Sequence, residues 1–157
     1  MQRILMGLAL LAAVPAALAA ESNVMVQSVQ RPIGPTFKNV VSALQHSGFK
    51  VIKKINIGKK IGMAAKHFHW TDYNRNHLGG VRTAIFCNAK FANAISNADP
   101  EMMALCPLHV TLIQQGAWTR VEFVKPAAIA QGTHAEGVAL KLQNKIEAAI
   151  RKGLAAK

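Results

Sequence analysis

The sequence predicts an α+β fold: a mainly antiparallel sheet of about five strands with helices packed on one face, plus a long C-terminal helix. Three observations lead to this prediction. Short runs of alternating apolar residues are interleaved with helical patterns. Two of these runs flank the turn segment Gln115-Gly116-Ala117, as in a β-hairpin. A long amphipathic pattern then follows near the C-terminus, and such a mixture is typical of a sheet with helices segregated to one side.

The first half of the domain is predicted to contain two strands and two helices. A strand covers 24–30, and a helix begins at Gly34-Pro35-Thr36, where proline is tolerated in the first turn. Gly48 is a natural residue to end this helix, since glycine readily adopts a left-handed conformation. The apolar face of the helix is formed by residues at helical spacing: Phe37, Val40, Val41 and Leu44. A strand over 49–57 and a short helix over 59–66 follow.

The second half is predicted to begin with an irregular polar and aromatic loop at 67–80. Next come a strand at 81–87, a helix over about 89–97 with a turn running on to Met103, strands at 108–114 and 118–124, and a helix at 134–154. Thr133 and Glu136 have the spacing of a capping box at the start of that last helix. The last helix either packs on the sheet or forms a dimer contact.

The first 19 residues have the pattern of a cleavable signal peptide. Arg3 provides a positive charge, an apolar run follows at 4–14, and Ala17-Leu18-Ala19 offers the small residues that signal peptidase accepts. The run is shorter than the roughly 20 residues that a membrane-spanning helix needs. We therefore expect a periplasmic or secreted protein that does not span the membrane once 1–19 is removed. The expected division is 1–19 as signal peptide, 20–130 as the compact domain and 131–157 as the terminal helix.

The chain is strongly basic, with 19 Lys and Arg residues against seven Asp and Glu and a formal net charge of +12. This balance favours contact with anions, so an acidic protein partner or an anionic surface is a candidate partner. Nucleic acid is not expected, because an exported protein rarely meets it and aromatic residues for base stacking are scarce. Six lysines form a candidate basic patch: Lys50, Lys53, Lys54, Lys59, Lys60 and Lys66.

The two cysteines, Cys87 and Cys106, are candidates for a disulfide in an oxidising compartment. Closing a loop of about 20 residues would stabilise the fold by about 3 kcal/mol in the chain-entropy model. An alternative follows from the position of Cys87 just before a predicted helix, since a helix N-terminus favours the thiolate. Cys87 would then be a reactive or metal-ligating residue. A buried, inert thiol is a third interpretation.

Three histidines in the predicted loop form the other candidate site. His67 and His69 would point the same way if the segment were extended, and His77 follows eight residues later. Together with Cys87 they could ligate a transition metal or haem, because imidazole and thiolate are borderline to soft ligands. The alternative is a flexible loop with exposed histidines. Trp70 and Tyr73 would either wall a pocket there or cap the edge of the core.

Several segments together resemble a known family. They are the run Ser47-Gly48-Phe49-Lys50-Val51, the strand end Phe86-Cys87-Asn88-Ala89, the pairs Asp99-Pro100 and Cys106-Pro107, and Phe123-Val124-Lys125-Pro126. Their order and spacing are similar to those of the domain-of-unknown-function 302 family, over about 24–126. The chain departs from the commoner family pattern at Ala89, where proline usually stands, and in having cysteine before Pro107. The resemblance implies a compact α+β fold and no defined activity.

The pattern as a whole favours a binding or accessory protein over an enzyme. No two of the seven carboxylates are spaced as a persuasive general acid and base, and the phosphate-loop and nucleophile-elbow motifs are absent from the sequence. We expect an exported protein that handles a metal, haem or sulfur species through its His and Cys residues. A basic interaction module with a structural disulfide is the alternative, followed by a small thiol redox enzyme.

Overall fold

A computed structural model describes residues 22–156, so the predicted signal peptide at 1–19 lies outside the described residues. The five strands are β1 (Val24–Val29), β2 (Lys50–Asn56), β3 (Gly80–Cys87), β4 (Leu108–Gln115) and β5 (Trp118–Val124). The helices are α1 (Ile33–His46), α2 (Ile57–His67), α3 (Ala89–Ala98), α4 (Pro126–Ile129) and α5 (Glu136–Ala155), with a 3-10 segment at Pro100–Leu105. The α+β prediction is confirmed.

The strands form one antiparallel sheet in the order β1-β5-β4-β3-β2. Val110 and Leu112 lie on one face of the sheet with Phe86, Val121 and Phe123, and all five are buried. Helices α1, α3 and α5 supply the rest of this core, including Val40, Leu44, Ile95, Ile146 and Ile150. His109, on the opposite face of β4, is exposed, because successive side chains along a strand alternate between faces.

Helix α5 belongs to this same core, since it packs directly against α1. The two backbones approach closely at Gly153, where an added Cβ would lie 2.6 Å from the Cα of Val40. Only a residue without a side chain allows that approach. At the other end of α1, Gly48 has a φ of +83°, which confirms its predicted role in ending the helix. The terminal helix therefore completes the domain core.

Local details differ from the sequence prediction at the start of α5. The helix begins at Glu136, and no side chain caps it in the manner of a capping box. Instead the Thr133 hydroxyl donates to the carbonyl of Ala130, and Glu136 Oε2 accepts from the N–H of Gly132. The chain makes a turn before the helix, so that both side chains stabilise the turn. The short helix α4 was not predicted. Within residues 22–156 no helix combines the length and apolar character needed to cross a membrane.

Candidate functional site: a basic cleft at the start of β3

The C-terminal end of β3 holds the two cysteines in a disulfide. Cys87 is the last residue of the strand, and Cys106 follows the 3-10 segment, with 6.3 Å between their Cα atoms. Beside the crosslink, Asn88 Oδ1 accepts from the N–H of Phe91 at 3.1 Å, and its Nδ2 donates to the carbonyl of Gly48 at 2.7 Å. The disulfide favours the structural interpretation of the cysteines, since a sulfur atom in a disulfide is not a thiolate ligand.

The candidate histidines are not arranged as an extended segment would place them. His67 is the last residue of α2, whereas His69 and His77 have φ values of 53° and 51°. The segment is therefore not extended, so strand geometry gives no reason for His67 and His69 to point the same way. Among the described residues, no group of three or more His, Cys, Asp or Glu side chains could hold a metal ion. The arrangement gives the metal or haem hypothesis no geometric support.

The opposite end of β3 borders a cleft with a volume of about 650 Å³. It lies between the first turns of α2, the loop at 72–79 and the first residues of β3, with Ile33 of α1 at one side. The antiparallel pairing of β2 and β3 places Asn56 opposite Arg82, and these two residues form the floor of the cleft. A cleft of this size suits a small molecule.

Side-chain amides fix the loop that forms one wall of the cleft. Asn74 donates through Nδ2 to the carbonyl of Leu78 at 3.0 Å and accepts at Oδ1 from the Leu78 N–H at 2.8 Å. Gln115 Nε2 donates to the carbonyl of Asn76 at 3.1 Å. Asn74 has a φ of 54°, a conformation that asparagine tolerates better than most residues. The wall is therefore held in place before any ligand arrives.

Gln114 ties this end of the sheet to helix α1. Its Oε1 accepts from the N–H of Ile33 at 2.6 Å, and its Nε2 donates to the carbonyls of Gly116 and Trp118 at 2.8 and 3.1 Å. The loop joins the same point, because the N–H of Gly79 donates to the Gln114 carbonyl at 2.8 Å. Sequence reasoning placed Gln114 in a strand and missed this role.

The cleft carries more positive than negative charge. Its lining contains Lys59, Arg75 and Arg82, with Asp72 as the one carboxylate among the lining residues. Asp72 pairs with Arg75 at 3.6 Å, and both side chains are mainly exposed, so this pair contributes at most about 1 kcal/mol. Neither the side chain of Lys59 nor that of Arg82 has a hydrogen bond or ion pair with another described residue. Arg82 is half-buried, which leaves its guanidinium available to an anion.

Of the six lysines in the predicted patch, Lys59 lines the cleft, and the sequence pattern did not single out Arg82, Asn56 or Asn74. A signal for Arg82, though not for the two asparagines, was present in the local charge balance. Between positions 50 and 82 the chain has one acidic residue, Asp72, against eight basic ones: Lys50, Lys53, Lys54, Lys59, Lys60, Lys66, Arg75 and Arg82. Such an imbalance within one segment marks the place where uncompensated charge collects. Tyr73 lines the cleft and Trp70 an adjoining depression, and both are exposed, so they wall a pocket rather than cap the core.

The family model for the domain of unknown function DUF302 matches residues 25–153. This chain belongs to the DUF302 family. The match extends beyond the range over which the sequence resemblance was recognised and includes helix α5, in agreement with the place of that helix in the core. No curated protein matches the chain.

A solved DUF302 structure has the same fold. The chain is similar to the crystal structure of an uncharacterized conserved protein DUF302 from Bacillus stearothermophilus, with a TM-score of 0.71. The two share 15% sequence identity over 82% of this chain and 96% of the other. At that identity the likeness concerns the fold alone. Family membership therefore accounts for the fold, and it assigns no binding or catalytic role to the cleft.

Proposed function

We propose that this DUF302 protein is exported and binds a small organic anion in the basic cleft at the start of β3. The observation that carries the proposal is Arg82, a half-buried arginine without a partner among the described residues, on the floor of a cleft of about 650 Å³. Burying part of a charge costs free energy unless it is paired. An anionic ligand would supply the missing partner.

The lining favours a ligand with both a charged and an apolar part. A guanidinium matches carboxylate and phosphate groups through two parallel hydrogen bonds, and Lys59 adds a second positive charge. Ile33, Leu78 and Val81 offer apolar surface in the same cleft. We infer a carboxylic acid or phosphate ester of metabolite size as the ligand class.

The same lining supports binding more than catalysis. None of the lining residues is a His, Cys or Ser, and the lining carboxylate, Asp72, is occupied by Arg75. These side chains can hold and orient an anion. The lining groups able to act as a general base or nucleophile are thus limited to Lys59, Asp72 and Tyr73.

Export is part of the proposal and rests on the signal-peptide pattern at 1–19 together with the disulfide between Cys87 and Cys106. A disulfide in a small domain is typical of an oxidising compartment. Fractionation of cells that express the full chain tests this, by locating the protein and determining its N-terminus. Retention of an uncleaved chain in the cytoplasm would contradict the export proposal.

Ligation of haem or a transition metal by His67, His69, His77 and Cys87 stays a separate prediction. The observed geometry favours it less than anion binding, because the described residues contain no group of three His, Cys, Asp or Glu side chains that could hold a metal ion. A visible spectrum and metal analysis of protein purified from the periplasm test it directly. A colourless, metal-free protein would remove this function from consideration.

Calorimetric titration with inorganic phosphate and a panel of small carboxylic acids tests the cleft. At a free ligand concentration of about 100 times Kd, we expect the free energy of unfolding to rise by about 2.7 kcal/mol. The variant Arg82→Gln should weaken binding by about 10- to 100-fold, the effect of losing a hydrogen bond to a charged group.

Two neighbouring lysines provide a matched control. Lys59→Gln, which changes the lining, should weaken binding, whereas Lys60→Gln removes the same charge from outside the lining and should have little effect. Equal losses in the two lysine variants would indicate nonspecific electrostatic attraction. Undiminished binding by Arg82→Gln would contradict the proposed site.

A further inference from the structure

One group of exposed apolar side chains, which includes three aromatic residues, lies at the edge of the cleft. Ile61, Phe68, Trp70 and Tyr73 are 42%, 64%, 47% and 45% exposed. We call these four residues the aromatic surface. They lie within 13 residues of sequence, on α2 and the chain that follows it. Clusters of this kind are uncommon on monomeric soluble proteins and mark interaction surfaces.

Contacts between these side chains join them into one surface. The rings of Phe68 and Trp70 are stacked with 6.3 Å between their centroids. Ile61, Trp70 and Tyr73 line one shallow depression. The Tyr73 hydroxyl lies against Gly62 of α2, 2.9 Å from where a Cβ on that glycine would be. The aromatic side chains are thus positioned by the fold and by each other, although water covers much of their area.

Basic residues flank the aromatic surface along the chain. Lys59, Lys60 and Lys66 lie on α2, and Arg75 follows Tyr73. The acidic residue in this part of the chain, Asp72, already pairs with Arg75. Any partner of this surface should therefore offer negative charge around an apolar interior.

We propose that the aromatic surface docks the protein onto an anionic lipid bilayer. Trp and Tyr side chains partition into the interfacial region of a bilayer, where their rings are buried and their polar atoms stay hydrated, and Phe adds apolar area. Lysines beside them are attracted to anionic headgroups, and their alkyl stems can cover apolar area. An acidic protein would satisfy the charges equally well, but it would not require several exposed aromatic rings at the centre. The inference does not depend on a ligand in the cleft.

Vesicle co-sedimentation of the chain without residues 1–19 tests the docking. Vesicles of phosphatidylcholine with about one-third phosphatidylglycerol should bind the protein at least about tenfold more tightly than phosphatidylcholine alone, because anionic lipid attracts the surrounding lysines. Raising the salt concentration from about 0.05 M to about 0.5 M should reduce binding markedly through screening. Failure to bind the anionic vesicles at low salt would overturn the proposal.

The chain offers a matched control for the aromatic contribution, because Trp118 is also exposed, at 51%, but lies at the β4–β5 hairpin. The double variant Phe68→Ser/Trp70→Ser should bind anionic vesicles at least about tenfold more weakly, as expected for the loss of two interfacial aromatic rings. Trp118→Ser should bind as the wild type does. Circular dichroism verifies that each variant is folded. An equal loss in Trp118→Ser, or no loss in the double variant, would contradict the assignment.

Tryptophan fluorescence gives an independent readout, since the chain has two tryptophans. Trp118→Phe leaves Trp70 as the reporter, and its emission should shift to shorter wavelength on anionic vesicles and be quenched by brominated lipid. Trp70→Phe leaves Trp118, which should show neither change. If Trp118 showed the shift and the quenching and Trp70 did not, the membrane contact would lie elsewhere on the molecule.

Soluble polyglutamate separates the bilayer from an acidic protein partner. The lipid proposal expects polyglutamate to bind weakly and to depend little on Phe68 and Trp70. If polyglutamate displaces the vesicles completely and the aromatic variant behaves as wild type with both, the surface is an electrostatic site for an acidic partner, and the lipid proposal fails. Calorimetric titration of the same variants with the small anions shows separately whether the cleft binds them.

Discussion

The two ends of strand β3 use different chemistry, although they are separated by only eight residues. At Cys87 the strand ends in a crosslink, and Asn88 connects α3 to the segment that follows α1. At Gly80–Arg82 the strand begins beside an open cleft, and the guanidinium there has no partner within residues 22–156. At the crosslinked end the polar side chains serve the fold. At the cleft end the amide side chains also serve the fold, but the guanidinium of Arg82 stays available. Function is therefore expected where the polar groups are not needed for stability.

Removal of the disulfide should have the largest effect on stability. The variant Cys87→Ser/Cys106→Ser should lower the free energy of unfolding by about 3 kcal/mol, because the unfolded chain regains the entropy of a loop of about 20 residues. Urea denaturation followed by circular dichroism measures it. Binding in the cleft should be unchanged at a temperature at which the variant remains folded. An unfolding midpoint equal to that of the wild type would show that the crosslink does not stabilise the protein.

The helix caps offer a direct comparison of the two ends. Asn88→Ala removes the N-cap of α3 and the bond to Gly48, and Asn56→Ala removes the N-cap of α2, where Oδ1 accepts from the Lys59 N–H at 2.9 Å. We expect losses of about 1–2 kcal/mol for Asn88→Ala and about 1 kcal/mol for Asn56→Ala. Denaturant midpoints of the two variants measure the difference. A larger loss at Asn56 would reverse the comparison.

Added salt should stabilise the free protein slightly, through the cleft end. Repulsion among the eight basic residues at positions 50–82 is screened as salt rises from about 0.05 M to about 0.5 M, which is worth less than about 1 kcal/mol. The variant Lys59→Gln/Arg82→Gln should gain less from salt than the wild type does. Thermal unfolding across a sodium chloride series measures both. Salt that destabilises the free protein would show that attractive pairs dominate instead.

Arg82→Gln should change the stability of the free protein least, within about 0.5 kcal/mol. No ion pair with a described residue is lost, and one repulsive charge is removed. The same substitution is expected to weaken anion binding, so stability and binding should separate at this position. Chemical denaturation without and with ligand measures the two effects. A loss of several kcal/mol without ligand would mean that Arg82 serves the fold.

Much of the fold could be predicted because its signals are local. Periodicity located the strands and the longer helices, and Gly48 marked the end of α1 by its conformational freedom. The candidate site was predicted less well. The His67 and His69 hypothesis assumed an extended chain, but helix α2 continues to His67 and the backbone turns at His69. Alternation of side chains cannot reveal such a turn, since nearby contacts decide it.

The sequence by itself determined the fold class, the cysteine pair as a candidate crosslink and the excess of positive charge. Each depends on residue types or on spacing within one element. Only the tertiary structure decided where, in the part of the chain that it describes, positive charge is left without a partner. The register of β2 on β3 sets Asn56 opposite Arg82, and Gln114 and Gln115 hold the loop at 72–79 from about 40 residues away. Strand register and long-range hydrogen bonds depend on the packing of the whole chain, so no local pattern contains them.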